Sequence, residues 1–278
     1  MDHPAIAEGN VAVITGGASG IGLAVAKTLA SKGMRICIAD NNHDTLNEAT
    51  KSLDGDPLVV VTDVSDRTSV ESLKNEVLSR FGQVDILMNN AGTSIRGVTS
   101  FSAIEAWQQI LGVNLWGVIN GLQAFGELMV SQGRPGAIIN TGSKQGLTNP
   151  PGNPAYNISK AGVRTLTESL AHELRAIDNC AITAHLLVPG FTYTGMIAKV
   201  IAERPPGAWL PEQVADLLLE RLARGDFYII CPDNETTETI DHRRMQWNLD
   251  DILQGRPALS RWHADYAEDF RQFMDSED

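Results

Sequence analysis

The stretch VAVITGGASGIG, residues 11–22, is an apolar run that ends in a cluster of glycines and opens onto a helical pattern. Val11 to Ile14 predicts a buried strand, and Ile21, Val25 and Leu29 recur at helical spacing before Gly33 ends the pattern. The reading is therefore strand, glycine turn, helix. Gly16, Gly20 and Gly22 permit a tight turn, close approach of backbone to a diphosphate and close packing of helix on strand. The helix start adds unpaired N–H groups and a positive dipole end, so the segment is a candidate phosphate cradle. Its spacing, G-x3-G-x-G, differs from the G-x-G-x-x-G of other dinucleotide folds.

Working outward, five further apolar runs alternate with helical patterns before a seventh closes the series. The second strand, Met34 to Ala39, ends in Asp40. An acid there can accept both ribose hydroxyls of an adenosine and repels a 2′-phosphate, which selects NAD over NADP. The competing reading is an Asp that caps the next helix. Leu58 to Thr62 predicts a third strand, followed by Asp63 and Val64 and a helix over Asp66 to Phe81, with Asp63 placed to reach an adenine amino group. Val84 to Met88 is the fourth, ending in Asn89, Asn90, Ala91 and Gly92, where amides can hold backbone and the small pair leaves room for a flat ring. Ser102 and Glu105 read as a capping box opening a long helix that contains Asn114, a residue that competes for backbone hydrogen bonds and so predicts a bend or a bound water. Ala137 to Asn140 forms the fifth strand and delivers Ser143. Ala181 to Val188 forms the sixth and runs into Pro189, Gly190, Phe191, Thr192, Tyr193 and Thr194. A helix over Pro211 to Ala223, with Pro at its first turn and Gly225 past its end, precedes the last strand, Phe227 to Cys231. Such alternation predicts an α/β, Rossmann-like, doubly wound parallel sheet of seven strands with helices on both faces.

Within SKQGLTNPPGNPAYNISK, residues 143–160, Tyr156 and Lys160 stand four apart on a segment whose apolar residues Ile158, Val163, Leu166, Leu170 and Leu174 recur at helical spacing. A phenol and an ammonium are thereby neighbours. A fixed cation favours the phenolate and eases proton movement through the Tyr, and Ser143 can steady the oxygen that gains or loses that proton.

With 278 residues, 43% hydrophobic and 20% charged, the composition is that of a folded globular chain. The net charge of -12 opposes binding to nucleic acid or anionic lipid, so neither partner is expected. Cys37, Cys180 and Cys231 have no paired spacing; they read as buried thiols in a reducing compartment, with no metal site. No apolar run reaches membrane-span length and the first ten residues carry no Lys or Arg, which predicts a cytoplasmic location. Absence of repeats or low-complexity linkers favours one domain over 1–278, with its core over about 8–232 and an extension over 233–278. That extension carries 12 acids against 5 Arg, yet also Trp247, Leu249, Ile252, Leu253, Trp262, Tyr266, Phe270 and Phe273, so it must pack on this subunit or on a neighbour.

Taken together these motifs resemble the short-chain dehydrogenase/reductase family in its compact single-domain form, over residues 8–232. The resemblance runs through the turn Thr15 to Gly22 with Ser19 and Ile21, the Asn89 to Gly92 strand end, Asn114, Ser143, Tyr156, Lys160 and the segment Pro189 to Thr194. It implies an NAD-dependent alcohol dehydrogenase or ketoreductase acting on a secondary alcohol or ketone, with oxidation the expected direction. Tyr156 would be the general base, Ser143 would position the oxygen, Lys160 would lower the Tyr pKa and hold the nicotinamide ribose, and Asn114 would retain a proton-relaying water. Gly16, Gly20, Gly22, Asp40, Asp63, Val64, Asn90, Ala91, Gly92, Pro189, Gly190, Phe191 and Thr194 would hold NAD. A homodimer or homotetramer is also implied, although FYIICPDNET replaces the glycine-rich end common in the family. The alternatives are an NADP-dependent carbonyl reductase and a dinucleotide-sensing protein without turnover.

A mostly apolar substrate pocket is expected from Ser94, Lys144, Gln145, Pro150, Phe191, Tyr193, Met196 and Trp209, suited to a hydrophobic or aromatic small molecule, with a solvated loop as the other reading of Lys144. Met196, Ile197, Val200 and Ile201 fall at helical spacing inside the long connector 191–209, which predicts a short lid helix.

Overall fold

The computed structural model describes residues 2–198 and 201–276; Val200 and the side chain of Met196, both named above, lie outside the described residues. Seven strands form one parallel sheet: β1 (Val11–Thr15), β2 (Arg35–Asp40), β3 (Leu58–Val61), β4 (Ile86–Asn89), β5 (Gly136–Thr141), β6 (Ile182–Val188) and β7 (Tyr228–Ile230). Their order is β3-β2-β1-β4-β5-β6-β7, so the chain reverses direction across the sheet between β1 and β4. That switch point opens a crevice at the carboxyl ends of the strands. Register pairs Val13 with both Cys37 and Leu87, and Asn89 with Asn140.

Alternate strand residues feed two cores, because side chains on a strand point to opposite faces. Ala12 and Ile14 meet α1 (Gly20–Ser31), α2 (His43–Thr50) and α9 (Pro211–Arg224), through Val25, Leu29, Leu46, Val214, Leu218 and Leu222. Val11 and Val13 meet α3 (Arg67–Phe81), α5 (Gly117–Ser131) and α7 (Pro154–Ala176), through Val70, Leu73, Phe125, Met129, Ala171 and Leu174. Both faces of the sheet are covered, as the unbroken apolar runs require. Gly225 closes α9 in the left-handed conformation at φ 78°, and Pro211 starts it.

Most predicted boundaries shift by one residue, and two differ from the pattern reading for a physical reason. Val84 lies outside β4, and Asp85 accepts the Val11 N–H at 2.7 Å and faces Arg134 at 2.9 Å, so this buried acid anchors the sheet's lower edge. Ser102 does not cap α4 (Ile104–Leu111): Ala103 is the N-cap, and the Ser102 hydroxyl accepts the Thr99 N–H at 2.9 Å instead. A capping-box spacing states only that two side chains are in reach, and here the preceding loop takes the hydroxyl first.

The extension forms α10 (Glu238–Leu253), two short 3-10 turns and α11 (Ala267–Asp275). Trp247, 4% exposed, is its centre: Phe270 and Phe273 pack against it at 5.2 and 5.3 Å, and the Arg256 guanidinium stacks 3.8 Å above its ring. Its indole N–H donates to Ser260, which is held in turn by Asp251.

Candidate active site

At the switch point, the glycine turn is clamped between β1 and β4. Thr15 Oγ1 accepts the N–H groups of Asn90 and Ala91 at 3.0 and 3.2 Å, and Asn90 Nδ2 donates to the carbonyls of Thr15 and Gly16 at 3.1 and 3.3 Å. Asn90 thus serves the turn's backbone. Gly16 and Gly20 hold φ of 64° and 52°, a region that disfavours side chains, and a Cβ on Gly22 would stand 2.3 Å from the Gly16 carbonyl oxygen. The first turn of α1 has no side-chain cap, since Ser19 makes none, and it contains no acid. Such a helix start suits an anion. Thr194 arrives from the far side, its side chain 3.2 Å from where a Gly20 Cβ would be.

Asp40 ends β2, while the cap of α2 is Asn42, which accepts the Thr45 N–H at 3.0 Å. The cap reading of Asp40 therefore fails, and its Oδ1 accepts only a long 3.3 Å bond from the Asn42 N–H. Asp63 is partly committed: its Oδ1 accepts both the N–H and O–H of Ser65, at 2.9 and 2.7 Å. Val64 is buried against Gly117, where a Cβ would stand 2.7 Å from its methyl, and its carbonyl accepts from Asn120 at 2.9 Å. Asn120 has no sequence signal of its own, being one more polar residue on a helix.

The bend predicted at Asn114 is a π-helical turn over Gly112–Trp116. Fully buried, Asn114 accepts the Thr93 N–H at 2.7 Å and donates to the Thr93 carbonyl at 2.9 Å and to Ser159 Oγ at 3.1 Å. Both amide hydrogens are spent on protein, which leaves the second lone pair of its side-chain oxygen for a water. Thr93 and Ser159 were not singled out in the sequence. The wider turn accompanies a residue whose side chain is aimed inward at the loop after β4 and at α7.

Asn153 caps α7 by accepting the Tyr156 N–H at 3.2 Å, and its amide reaches Ser94 Oγ and the Ile95 carbonyl. Tyr156 is half-buried as a residue, yet desolvation around its phenol pushes its pKa above the usual value, with the hydrogen bond from Ser143 pulling it the other way. Lys160 is 4% exposed, donates to the Thr141 carbonyl at 2.8 Å and lies 5.9 Å from the Tyr156 ring centre; burial pushes it down to about 8. The expected direction of the Tyr shift is reversed, because burial disfavours the phenolate more than Ser143 favours it. Gly146 allows the approach, since a Cβ there would stand 2.6 Å from the Lys160 backbone; one on Gly92 would meet Lys160 Nζ at an ordinary contact of 3.8 Å. Ser143, Asn114, Tyr156 and Lys160 share one site at the mouth of the glycine crevice.

The pocket residues divide. Ser94, Gln145 and Pro150 border the segment that carries Ser143 and Tyr156: Ser94 accepts from Asn153, the Gln145 N–H donates to Ser143 Oγ at 3.2 Å, and the Pro150 carbonyl accepts from Asn157 at 2.7 Å. Trp209 instead packs into the core beside α1 and α9, and its N–H donates to the Phe191 carbonyl at 2.8 Å. Tyr193 turns its hydroxyl to the carbonyls of Ile201 and Ala202. Lys144 is neither solvated nor free for a substrate: its ammonium is 2.6 Å from Asp241 and 3.5 Å from Asp233. The predicted stripe after Gly195 begins as α8 (Gly195–Ala198), and the Ile201 N–H donates to the Ile197 carbonyl at 2.9 Å. Sequence spacing carried no mark of the Lys144 pairing, since its partners lie some ninety residues away.

A family model described as short chain dehydrogenase matches residues 10–205. The 3-oxoacyl-(acyl-carrier-protein) reductase of Thermotoga maritima is 34% identical over 223 residues, 79% of this chain and 85% of that protein. The NADP-dependent (R)-specific alcohol dehydrogenase of Lentilactobacillus kefiri is 32% identical over 192 residues, 68% of this chain and 76% of that protein. Among solved structures, a short chain dehydrogenase/reductase from Burkholderia phymatum in complex with NAD matches with a TM-score of 0.82 at 32% identity, over 90% of this chain and 96% of that one.

Proposed function

The chain belongs to the short chain dehydrogenase family of oxidoreductases, and on that premise we propose that it transfers a hydride reversibly between NAD and a hydrophobic or aromatic secondary alcohol or its ketone. The observation that carries the reading is the Tyr156 phenol ring 5.9 Å from the ammonium of the buried Lys160, at the mouth of a glycine crevice that fits a dinucleotide. Gly16, Gly20, Gly22, Ser19, Ile21 and Thr194 would hold the diphosphate, and Asp40 the adenosine ribose. Asp63 and Val64 would border the adenine, and Asn90, Ala91, Gly92, Lys160, Pro189, Gly190 and Phe191 the nicotinamide end. When bound, the nicotinamide supplies or accepts the hydride.

The protein's own part is proton management and orientation. Tyr156 gives its phenolic proton to a nascent alkoxide or takes one from a hydroxyl. Ser143 holds the same substrate oxygen, which limits the angle at which the substrate carbon can sit. Lys160 stabilises the phenolate whenever that proton is away. Asn114 fixes Thr93 against α7 and so keeps the two halves of the site in register.

NAD rather than NADP is supported by Asp40, whose carboxylate ends β2 without capping α2. The NADP-dependent relative favours the second reading, and titration with both nucleotides separates them. Residues 1–278 are read as one domain, supported by the Lys144–Asp241 pair between core and extension. Self-association as a homodimer or homotetramer is part of the proposal; an apolar groove of about 430 Å³ between α5 and α7, lined by Leu122, Leu166 and Leu170, supports it, and sedimentation velocity tests it. A cytoplasmic setting is supported by three free thiols, of which Cys37 and Cys231 are buried.

The test is an NAD-coupled screen of secondary alcohols and ketones graded by size and polarity, run on wild type and Tyr156→Phe. A general acid or base contributes about 10² to 10⁴ in rate, so the variant should lose nearly all turnover and keep its NAD affinity. Retention of more than about a tenth of wild-type kcat removes Tyr156 from this role.

A further inference from the structure

The residue after Ser143 is gripped by the C-terminal extension. Lys144 keeps 18% of its side chain exposed and points its ammonium at Asp241 of α10, 2.6 Å away, and at Asp233, 3.5 Å away. Asp241 is itself 5% exposed. The Lys144 carbonyl meanwhile accepts the N–H groups of Leu147 and Thr148, at 3.0 and 3.1 Å, and so starts α6 (Gln145–Thr148). Helix α6 is one turn long and its Gly146 is pressed against the backbone of Lys160, so the loop has little slack in which to absorb a displacement of Lys144.

Asp233 does more than face Lys144. Its Oδ2 accepts the Phe191 N–H at 3.4 Å, and its Oδ1 accepts those of Glu235 and Thr236 at 3.1 and 2.7 Å. Asn234 next to it donates its N–H to the Gly207 carbonyl at 3.0 Å and its side-chain amide to the Pro206 carbonyl at 2.7 Å. Two consecutive residues of the extension therefore hold both roots of the 191–209 connector, while Asp233 and Asp241 together hold the loop that carries Ser143. Gly190 packs into the same junction, since a Cβ there would stand 3.0 Å from Lys144 Nζ and 2.8 Å from the Cys231 carbonyl oxygen. The contacts converge on the substrate side of the crevice. The diphosphate turn at Gly16 to Gly22 is outside this network.

We propose that Asp233 and Asp241 are positioning residues, which through Lys144 set the placement of Ser143 and through Phe191 and Gly207 set the roots of the connector, so that the extension governs the substrate and nicotinamide side of the crevice and leaves the adenosine and diphosphate side alone. The kinetic consequence rests on the function proposed above; the structural consequence does not. A partly buried ammonium or carboxylate stripped of its partner is strongly unfavourable, so removing one charge should move the loop.

The experiment compares wild type with Asp241→Asn, Asp233→Asn, Lys144→Met and the conservative Lys144→Arg. Amide exchange of the free protein is read first. Asp241→Asn and Lys144→Met should exchange about tenfold faster over residues 145–149, with β4 and β5 unchanged and Lys144→Arg close to wild type. Unchanged exchange over 145–149, or faster exchange spread evenly through β4 and β5, overturns the proposal whether or not any substrate is turned over. Affinity for ADP, which engages the adenosine and diphosphate side only, read by fluorescence titration, should stay within about twofold, while kcat for the best substrate of the screen falls about tenfold and returns in Lys144→Arg. A fall in melting temperature with kcat retained overturns the positioning role in favour of a purely structural one. Should Asp241→Asn fail to fold, Asp233→Asn carries the same readouts. A wild-type chain that turns over no alcohol or ketone sinks the proposed function, and the exchange comparison then judges this inference alone.

Discussion

The Asn114 amide donates to the Ser159 hydroxyl at 3.1 Å, and that hydroxyl donates to the Tyr156 carbonyl at 2.7 Å, so a π-helical turn is tied directly to the helical turn that carries the Tyr156 phenol and the Lys160 ammonium. With its other hydrogen bonds Asn114 also satisfies both backbone groups of Thr93. Asn114→Ala should therefore cost about 1–3 kcal/mol of stability, the penalty for leaving buried polar groups unmet. Turnover should fall further than NAD affinity, because α7 loses its register with the β4 end. Thermal melts and kcat measured together check this; an Asn114→Ala protein with wild-type melting and turnover would make the bridge idle.

Asp40 is the residue proposed to select the nucleotide. Replacing it with Ser and placing Arg at position 41 should weaken NAD and admit NADP, since a carboxylate repels a 2′-phosphate and a guanidinium pairs with it. Because Asn42 already caps α2, the change should leave the melting temperature almost unmoved. If NAD preference survives the double substitution, Asp40 has no part in selecting the cofactor.

Much of this was legible from local pattern. Seven apolar runs announced the parallel sheet, and the glycine turn, Asn114, Ser143, Tyr156 and Lys160 were visible because each is a residue type out of place in its local pattern or fixed in spacing to another. What stayed hidden is non-local. Thr15 clamps residues 75 positions away, and Lys144 pairs with acids in an extension whose aromatic residues showed only that it must pack somewhere. The sign of the Tyr156 shift was also hidden, because burial outweighs the nearby groups and depth is a tertiary property. Ser102 misled for the same reason in reverse, a local spacing overruled by a neighbour.

His3 and His185 form a second titrating pair far from the crevice. Their rings stand 5.9 Å apart, both contact the Thr183 hydroxyl, and His3 Nδ1 accepts the Ala5 N–H at 3.2 Å, an interaction that a proton on Nδ1 abolishes. Burial lowers His3 from 6.5 to about 4, with His185 adding repulsion. The unfolded chain thus binds the proton first as pH falls, so stability is intact above 6.5 and is lost as pH drops from 6.5 towards 4. The loss attributable to His3 is at most about 3 kcal/mol. His3→Gln should flatten the melting-temperature curve across that window; an unaltered slope would move the acid sensitivity elsewhere.

The direction of catalysis should switch with pH through the Tyr156–Lys160 pair. Burial raises the phenol above 10 and lowers the ammonium to about 8, so at neutral pH both protons are in place. A ketone then meets a ready acid, and reduction needs no prior ionisation. Oxidation needs the phenolate, which appears only when the pair gives up one proton. The state with a neutral amine and the state with phenolate beside ammonium hold the same number of protons, so the first loss belongs to the pair and should occur near 8. Below that value the oxidation rate should climb about tenfold per pH unit and above it level off, while reduction follows the mirror image. In Lys160→Met the phenol stands alone in a desolvated site, and the inflection should move up beyond 10, the ordinary Tyr value. Steady-state profiles in both directions, with NAD+ saturating for oxidation and NADH for reduction and corrected for the proton in the overall equilibrium, decide the matter. An inflection that stays near 8 in Lys160→Met would assign the titration to another group and leave Lys160 with ribose binding alone.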